Sequence, residues 1–154
     1  VDPRGDKHRP LVIEKDKRLK PATEDIRRLG WRPDWIFSSD SQRTKDTVLA
    51  IKSYNPDLPG NSHTVFSSTM YLPSLDALLT EIATLCETHK PNLPLLIGHN
   101  PSFSELVMYL TGEVVHLKKG AAALLEIDEK NWTDALYAKG SWTFCELFSA
   151  KSNF

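Results

Sequence analysis

The chain has 154 residues, of which 40% are hydrophobic and 25% charged, and its formal net charge is −1. These values are ordinary for one globular domain, and the near-neutral charge gives no general attraction to nucleic acid or an anionic membrane. No apolar stretch approaches the roughly 18 residues of a membrane span, and the charged segment 1–7 does not resemble a secretory signal. We therefore expect a single cytoplasmic domain over residues 1–154, with no nucleic-acid or membrane partner.

The first half of the chain predicts helices alternating with strands. Pro21 is typical of the first turn of a helix, and Gly30 would close that helix. Its inward-facing residues would be Ala22, Ile26 and Leu29. The segments that follow are predicted as a strand over 35–38, a helix over 43–52 and a strand over 64–66.

The second half has the clearest periodicity. Ser74 is predicted to cap a helix whose apolar stripe comprises Leu75, Leu78, Leu79, Ile82, Leu85 and Cys86. A strand over 94–97 follows. Ser102 and Glu105 have the spacing of a capping box at the start of another helix, which Gly112 would end. Residues 121–127 and 141–147 are predicted as strands with no clear helix between them.

This alternation predicts the fold class. Strands that alternate with helices of ten or more residues form βαβ units, and hence a mostly parallel sheet covered on both faces. We expect a three-layer α/β/α sandwich, with the last two strands as an antiparallel edge. Cys86 and Cys145 lie in apolar periodic segments without metal-ligand spacing, so both are predicted to be buried thiols in a reducing compartment. His63, His89 and His116 lack metal-ligand spacing as well.

Two polar segments are predicted to follow strands of this sheet. They are residues 38–47 and 98–101, and ligands of open α/β sheets bind beyond the carboxyl ends of strands. Helix N-termini offer free N–H groups and positive partial charge to an anion. Arg43 adds a guanidinium whose fork matches phosphate oxygens, and His99 adds an imidazole. The pattern therefore predicts a phosphate site and favours phosphoryl transfer.

At these residues the chain resembles the histidine phosphatase (phosphoglycerate mutase-like) superfamily, and within it the small SixA-like phosphohistidine phosphatases. Residues 39–47, SDSQRTKDT, are similar to the family pattern Ser-(Pro or Asp)-x-x-Arg-Ala-x-Gln-Thr. Residues 98–101, Gly-His-Asn-Pro, followed by a helix and by Leu-Thr-Gly at 110–112, match a later family pattern. The segment 8–11, His-Arg-Pro-Leu, resembles the stretch ahead of the family's first helix. The likeness runs from about residue 8 to residue 148.

The resemblance implies a function and a set of site residues. Arg43 would bind the transferred phosphoryl group, and His99 would hydrogen-bond the same group and stabilise its developing charge. Ser39 would shape the pocket, while Asn100 would contact substrate or cap the following helix. The implied reaction is hydrolysis of a phosphomonoester or phosphohistidine through a phosphohistidine intermediate. The substrate would be a phosphorylated small molecule or a phosphoprotein, with no metal and no cofactor.

The family's nucleophile does not occur in the sequence. It is a histidine in an Arg-His-Gly or Arg-His-Ala motif at the end of the first strand, and none of the five histidines of this chain follows an arginine. His8 precedes a charged loop segment and is not assigned as the nucleophile. We expect the chain to be an N-terminally incomplete part of a phosphatase, lacking the first strand and inactive by itself. Two alternatives stay open: a non-catalytic relative that binds phosphate or a phosphoprotein, and a misleading likeness in which His99 is structural.

Two further expectations concern charged residues near the site. Asp76 is interpreted as a charge in the first turn of its helix, so the general acid is left unassigned. Lys118 and Lys119 lie where they could reach a phosphorylated substrate, but such a pair is more typical of solvated surface.

Overall fold

The computed structural model describes residues 19–148, which form five helices and five strands together with two short 3₁₀ helices. The elements in chain order are α1 Leu19–Arg28, β1 Trp35–Ser39, α2 Gln42–Tyr54, β2 Thr64–Ser67, α3 Leu75–His89, β3 Pro94–Ile97, α4 Ser102–Thr111, β4 Ala122–Glu126, α5 Trp132–Leu136 and β5 Thr143–Phe148. This is the mixed α/β fold with a parallel sheet that the sequence predicts. The segments 1–18 and 149–154, including His8 and the likeness at 8–11, lie outside the described residues.

Strand β1 is the middle strand of a parallel sheet with the order β2-β1-β3. Its successive side chains point to opposite faces, as the strand period requires. Ile36 packs with Val48 and Ile51 of α2, whereas Phe37 belongs to the cluster that α3 and α4 build on the other face. Helices therefore cover both faces of this sheet.

Strands β4 and β5 form an antiparallel pair, as predicted, but within residues 19–148 they make a separate sheet. The short helix α5 lies between them, so the prediction of no clear helix there is wrong. Asn131 starts α5, since its side-chain oxygen accepts from the Asp134 N–H at 3.1 Å. Five residues are too few for a periodic pattern to reveal them.

The apolar residues of β3 and β4 are only half-buried, whereas Ile36 and Phe37 of β1 are fully buried. Two cavities, of about 450 Å³ and about 510 Å³, are each lined by residues of both β3 and β4. Leu95, Leu96 and Phe103 line both of them. The two sheets are therefore separated by open, largely apolar space, and the smaller cavity reaches the carboxyl end of β3.

Several predicted helix ends are confirmed and two details are wrong. The Ser74 hydroxyl accepts from the Ala77 N–H at 3.2 Å, and Gly112 ends α4 with a φ of +77°. Ser102 forms no capping box, because its hydroxyl instead donates to the Pro73 carbonyl at 2.9 Å. Leu29 does not face inward but is 44% exposed, since α1 ends one residue before it.

The two cysteines have different environments. Cys86 is fully buried, and burial, aided by the charge of Glu87, raises the pKa of its thiol to about 12. The prediction that Cys145 is buried is wrong, because its side chain is exposed. Leu124 pairs with Glu146 and Leu125 pairs with Phe144, so Cys145 is the extra residue of a β-bulge. A bulge shifts the in–out alternation of a strand, which is why the sequence pattern misled.

None of the helices within 19–148 is long and apolar enough to cross a bilayer. The same residues contain no group of three or more His, Cys, Asp or Glu side chains placed to hold a metal ion.

Candidate phosphate site

The carboxyl ends of the three parallel strands bring the predicted site segments together. Strand β1 ends at Ser39, and His99 lies two residues beyond the last residue of β3. His99 Nε2 and Ser39 Oγ are 3.1 Å apart, at hydrogen-bond distance, although the two residues are 60 positions apart in sequence. The fold thus joins the segments 38–47 and 98–101, as predicted from their places after strands.

Ser39 is fixed by a set of buried hydroxyl groups at the start of α2. Its carbonyl accepts from Thr44 Oγ1 at 2.6 Å, and its own hydroxyl accepts a long hydrogen bond of 3.4 Å from the Ser41 N–H. The Ser41 hydroxyl caps α2 by accepting from the Thr44 N–H at 3.2 Å. Because Ser39 is fully buried and does not line the cavity, its contact with the site runs through the His99 ring.

Tyr71 is a neighbour of His99 that the sequence does not predict. The two rings meet edge to face, with centroids 5.2 Å apart and planes at 88°. Aromatic pairs favour this geometry because the positive edge of one ring meets the negative face of the other. Tyr71 follows the 3₁₀ helix after β2, and its sequence position relative to His99 does not predict this contact. The imidazole is therefore held by a hydroxyl and by an aromatic ring.

Gly98 lets the chain pass close to helix α4. A Cβ at this position would lie 2.6 Å from the Phe103 ring, closer than side chains normally approach. Its φ is not in the left-handed region, so the need for glycine here is one of space and not of backbone conformation. The glycine of the Gly-His-Asn-Pro segment thus allows the Phe103 ring to pack close to the backbone at Gly98.

Arg43 and His99 line the same cavity of about 450 Å³. Arg43 is half-buried in the first turn of α2, and Thr47 Oγ1 donates to its carbonyl at 2.9 Å. Within residues 19–148 its guanidinium has no carboxylate or hydrogen-bond partner, and the nearby Asp46 carboxylate accepts from Gln42 Nε2 at 2.9 Å. With no such partner among the described residues, the guanidinium can bind an anion in the cavity.

Asn100 also lines this cavity, but both polar atoms of its side chain have partners in the protein. Its oxygen accepts from the Ser104 N–H at 3.1 Å and from the Ser104 hydroxyl at 2.9 Å, in the first turn of α4. Its nitrogen donates to the Leu117 carbonyl at 2.6 Å. Asn100 therefore supports the start of the helix, as its capping interpretation predicts, and holds the loop before β4 beside the site.

Asp76 is exposed in the first turn of α3, where a negative charge complements the helix N-terminus. This position agrees with its interpretation as a helix-start charge. The general acid therefore stays unassigned.

The fold and site geometry define a class of protein with a parallel-sheet α/β fold and a cationic site at the carboxyl ends of its strands. In three dimensions the chain is similar to the solved structure of the protein histidine phosphatase SixA complexed with tungstate, with a TM-score of 0.75, 18% identity and coverage of 97% of this chain and 89% of that one. Putative phosphohistidine phosphatases SixA from Nakamurella multipartitia and Agrobacterium tumefaciens have TM-scores of 0.73 and 0.70, both at 19% identity. They cover 90% and 94% of this chain, and 84% and 86% of their own.

At the level of sequence, an uncharacterised chloroplastic protein of Arabidopsis thaliana is 28% identical over 96% of this chain and 71% of that protein. No protein-family profile matches the chain. The chain therefore has the histidine phosphatase fold of the SixA proteins, and these identities establish the fold alone.

Proposed function

We propose that the chain binds the phosphoryl group of a phosphorylated substrate between Arg43 and His99, as the substrate-binding half of a histidine phosphatase. One observation carries this proposal: the Ser39 hydroxyl contacts the ring of His99, which lines the same cavity as Arg43, and within residues 19–148 the Arg43 guanidinium has no carboxylate partner. Guanidinium and imidazole groups fixed beside one cavity can stabilise the negative charge of a phosphoryl group during its transfer. The likeness to a protein solved with tungstate, an oxyanion, supports the same ligand class.

In the proposed reaction, a histidine nitrogen attacks phosphorus, and the P–O or P–N bond to the leaving group breaks with its electron pair. A general acid, still unassigned, protonates the leaving group. Water then attacks the phosphohistidine and releases phosphate. His99 and Arg43 stabilise the transferred group, and Ser39 acts by positioning His99. We propose that the nucleophile lies in an Arg-His-Gly or Arg-His-Ala segment outside these 154 residues.

A non-catalytic binding module is the second candidate, favoured by the lack of that motif in the sequence. The sequence of the natural protein ahead of Val1 separates the two, because only the enzyme requires the motif there. The cytoplasmic location of the protein stays a prediction, and the Arabidopsis relative is named as chloroplastic.

Binding of inorganic phosphate, measured by calorimetry on the 154-residue chain, tests the proposed site. Hydrogen bonds to charged groups contribute about 1.5–3 kcal/mol, so Arg43→Ala should weaken binding by about tenfold or more. His99→Ala should weaken it as well. Arg28→Ala is the matched control, because Arg28 is exposed and ion-paired to Asp25 at 3.1 Å. Unchanged affinity in both site variants would refute the proposal.

Activity gives a second test. The chain should show negligible turnover of an aryl phosphate. Robust turnover that His8→Ala abolishes would show that the nucleophile lies within the chain, contrary to the proposal.

A further inference from the structure

We propose that the loop before β4 carries a subsite for a second anionic group, so that the site takes small organic phosphates bearing a carboxylate or another phosphate. Lys118 and Lys119 form this subsite. The inference rests on the proposed function, because it assigns the substrate class of the same cavity.

The first support is the charge around the cavity. The chain as a whole has 19 Lys and Arg against 20 Asp and Glu, so an average surface carries both signs about equally. The described residues that line this cavity nevertheless include Arg43, Lys118 and Lys119 and no aspartate or glutamate. Clefts lined by charge of one sign concentrate ligands of the other sign. This local excess is therefore suited to a ligand with more negative charge than one phosphoryl group carries.

The second support is that neither ammonium group is neutralised within the described part of the chain. Lys118 and Lys119 have no ion pair or hydrogen bond there through their side chains. Both side chains are exposed at the cavity, so a ligand can reach them without moving other groups.

The third support is that hydrogen bonds fix the conformation of the loop and attach it to the site. The Ala121 N–H donates to the Lys118 carbonyl at 3.0 Å, which closes a β-turn. Gly120 occupies its third position with a φ of +79°, a conformation that side chains rarely adopt. At the other end, the Asn100 side chain donates to the Leu117 carbonyl. The residue that follows His99 thus ties the lysine-bearing turn to the phosphate site.

The size of the cavity indicates the kind of ligand. A volume of about 450 Å³ lies within the usual range for small-molecule pockets. The cavity wall supplied by β3 and β4 is apolar, so it can contact the carbon skeleton that joins the two anionic groups of such a ligand.

The experiment compares three probes by calorimetry on the full chain: phenyl phosphate, 4-carboxyphenyl phosphate and 4-carbamoylphenyl phosphate. The last two have nearly the same shape and differ by one negative charge. An exposed ion pair strengthens binding by about twofold to fivefold, so two lysines should favour the carboxylate by about four- to twenty-fivefold. The 3-carboxy and 3-carbamoyl isomers test a second spacing. The preference should shrink from about 0.05 M to about 0.5 M salt, as screening requires.

Variants assign the preference to the turn. Lys118→Gln/Lys119→Gln should reduce the carboxylate preference to within about twofold, and Lys118→Arg/Lys119→Arg should retain it. Lys139→Gln is the matched control, since Lys139 is exposed and lies outside this cavity. Equal affinity for carboxylate and carbamoyl probes at both ring positions would overturn the inference, and so would a preference that survives the double glutamine variant. The result that would refute the proposed function is a different one: Arg43→Ala would then leave the binding of inorganic phosphate unchanged.

Discussion

Replacing Gly98 by alanine should destabilise the protein through a clash with Phe103. The added Cβ would lie 2.6 Å from the ring, about 0.8 Å short of the 3.4 Å at which ordinary contact begins. Because Gly98 does not have a positive φ, the change adds no left-handed strain. The cost should therefore be that of overpacking, about 1–3 kcal/mol in the free energy of unfolding. The ring lines two cavities and has space to yield, so the lower half of this range is expected.

The assay is a double-mutant cycle measured by urea denaturation, with Gly98→Ala, Phe103→Leu and the two combined. Leucine is shorter than the ring that the Cβ would meet, so the combined variant should lose less stability than the sum of the single changes. Contacting residues commonly couple by about 0.5–3 kcal/mol. Gly112→Ala is the matched control: it has open space around it and a φ of +77°, so its cost should be independent of Phe103. Additive losses for Gly98→Ala and Phe103→Leu would refute the steric argument.

Two other substitutions or measurements address the loop anchor and the thiols. Asn100→Asp keeps an oxygen for the Ser104 N–H but loses the donor to the Leu117 carbonyl. We expect the free energy of unfolding to fall by about 0.5–1.5 kcal/mol and the carboxylate preference in the calorimetric assay to weaken. An unchanged preference would contradict the anchoring role of Asn100. A thiol reagent should label only Cys145 in the native protein, faster as pH rises, and both cysteines after denaturation. Because burial raises the pKa of Cys86 above its unfolded value, its stabilising contribution is present below about pH 9 and declines toward pH 12, and Cys86→Ala should remove that alkaline decline.

The sequence predicted most elements of the fold because local signals agree there. Ser74 and Gly112 mark helix ends with cap chemistry that depends on nearby residues only. Errors arose where a distant partner decided the outcome. The Ser102 hydroxyl reaches Pro73, 29 residues away, and so forms no local cap. Cys145 became exposed through a bulge that depends on its partner strand.

The same distinction applies to the candidate site. The position of His99 after a strand was sufficient to predict that it would lie near the segment 38–47, because parallel strands share a carboxyl edge. The edge contact of Tyr71 with His99 could not be predicted, since no spacing rule relates a 3₁₀ helix to a strand end. The sequence alone favours solvated surface for the lysine pair. Only the three-dimensional loop path shows that Lys118 and Lys119 line the cavity.

The contact between Ser39 and His99 separates the orientation of the imidazole from its charge. A serine hydroxyl can donate or accept a hydrogen bond, so it fits Nε2 with or without a proton. A carboxylate in its place would favour the cation, and a backbone N–H would favour the bare nitrogen. The hydroxyl is compatible with either form, so this contact orients the ring without selecting its charge. Through the Ser39 hydroxyl, the fold therefore determines where the His99 ring lies without fixing which atom of this contact carries the proton.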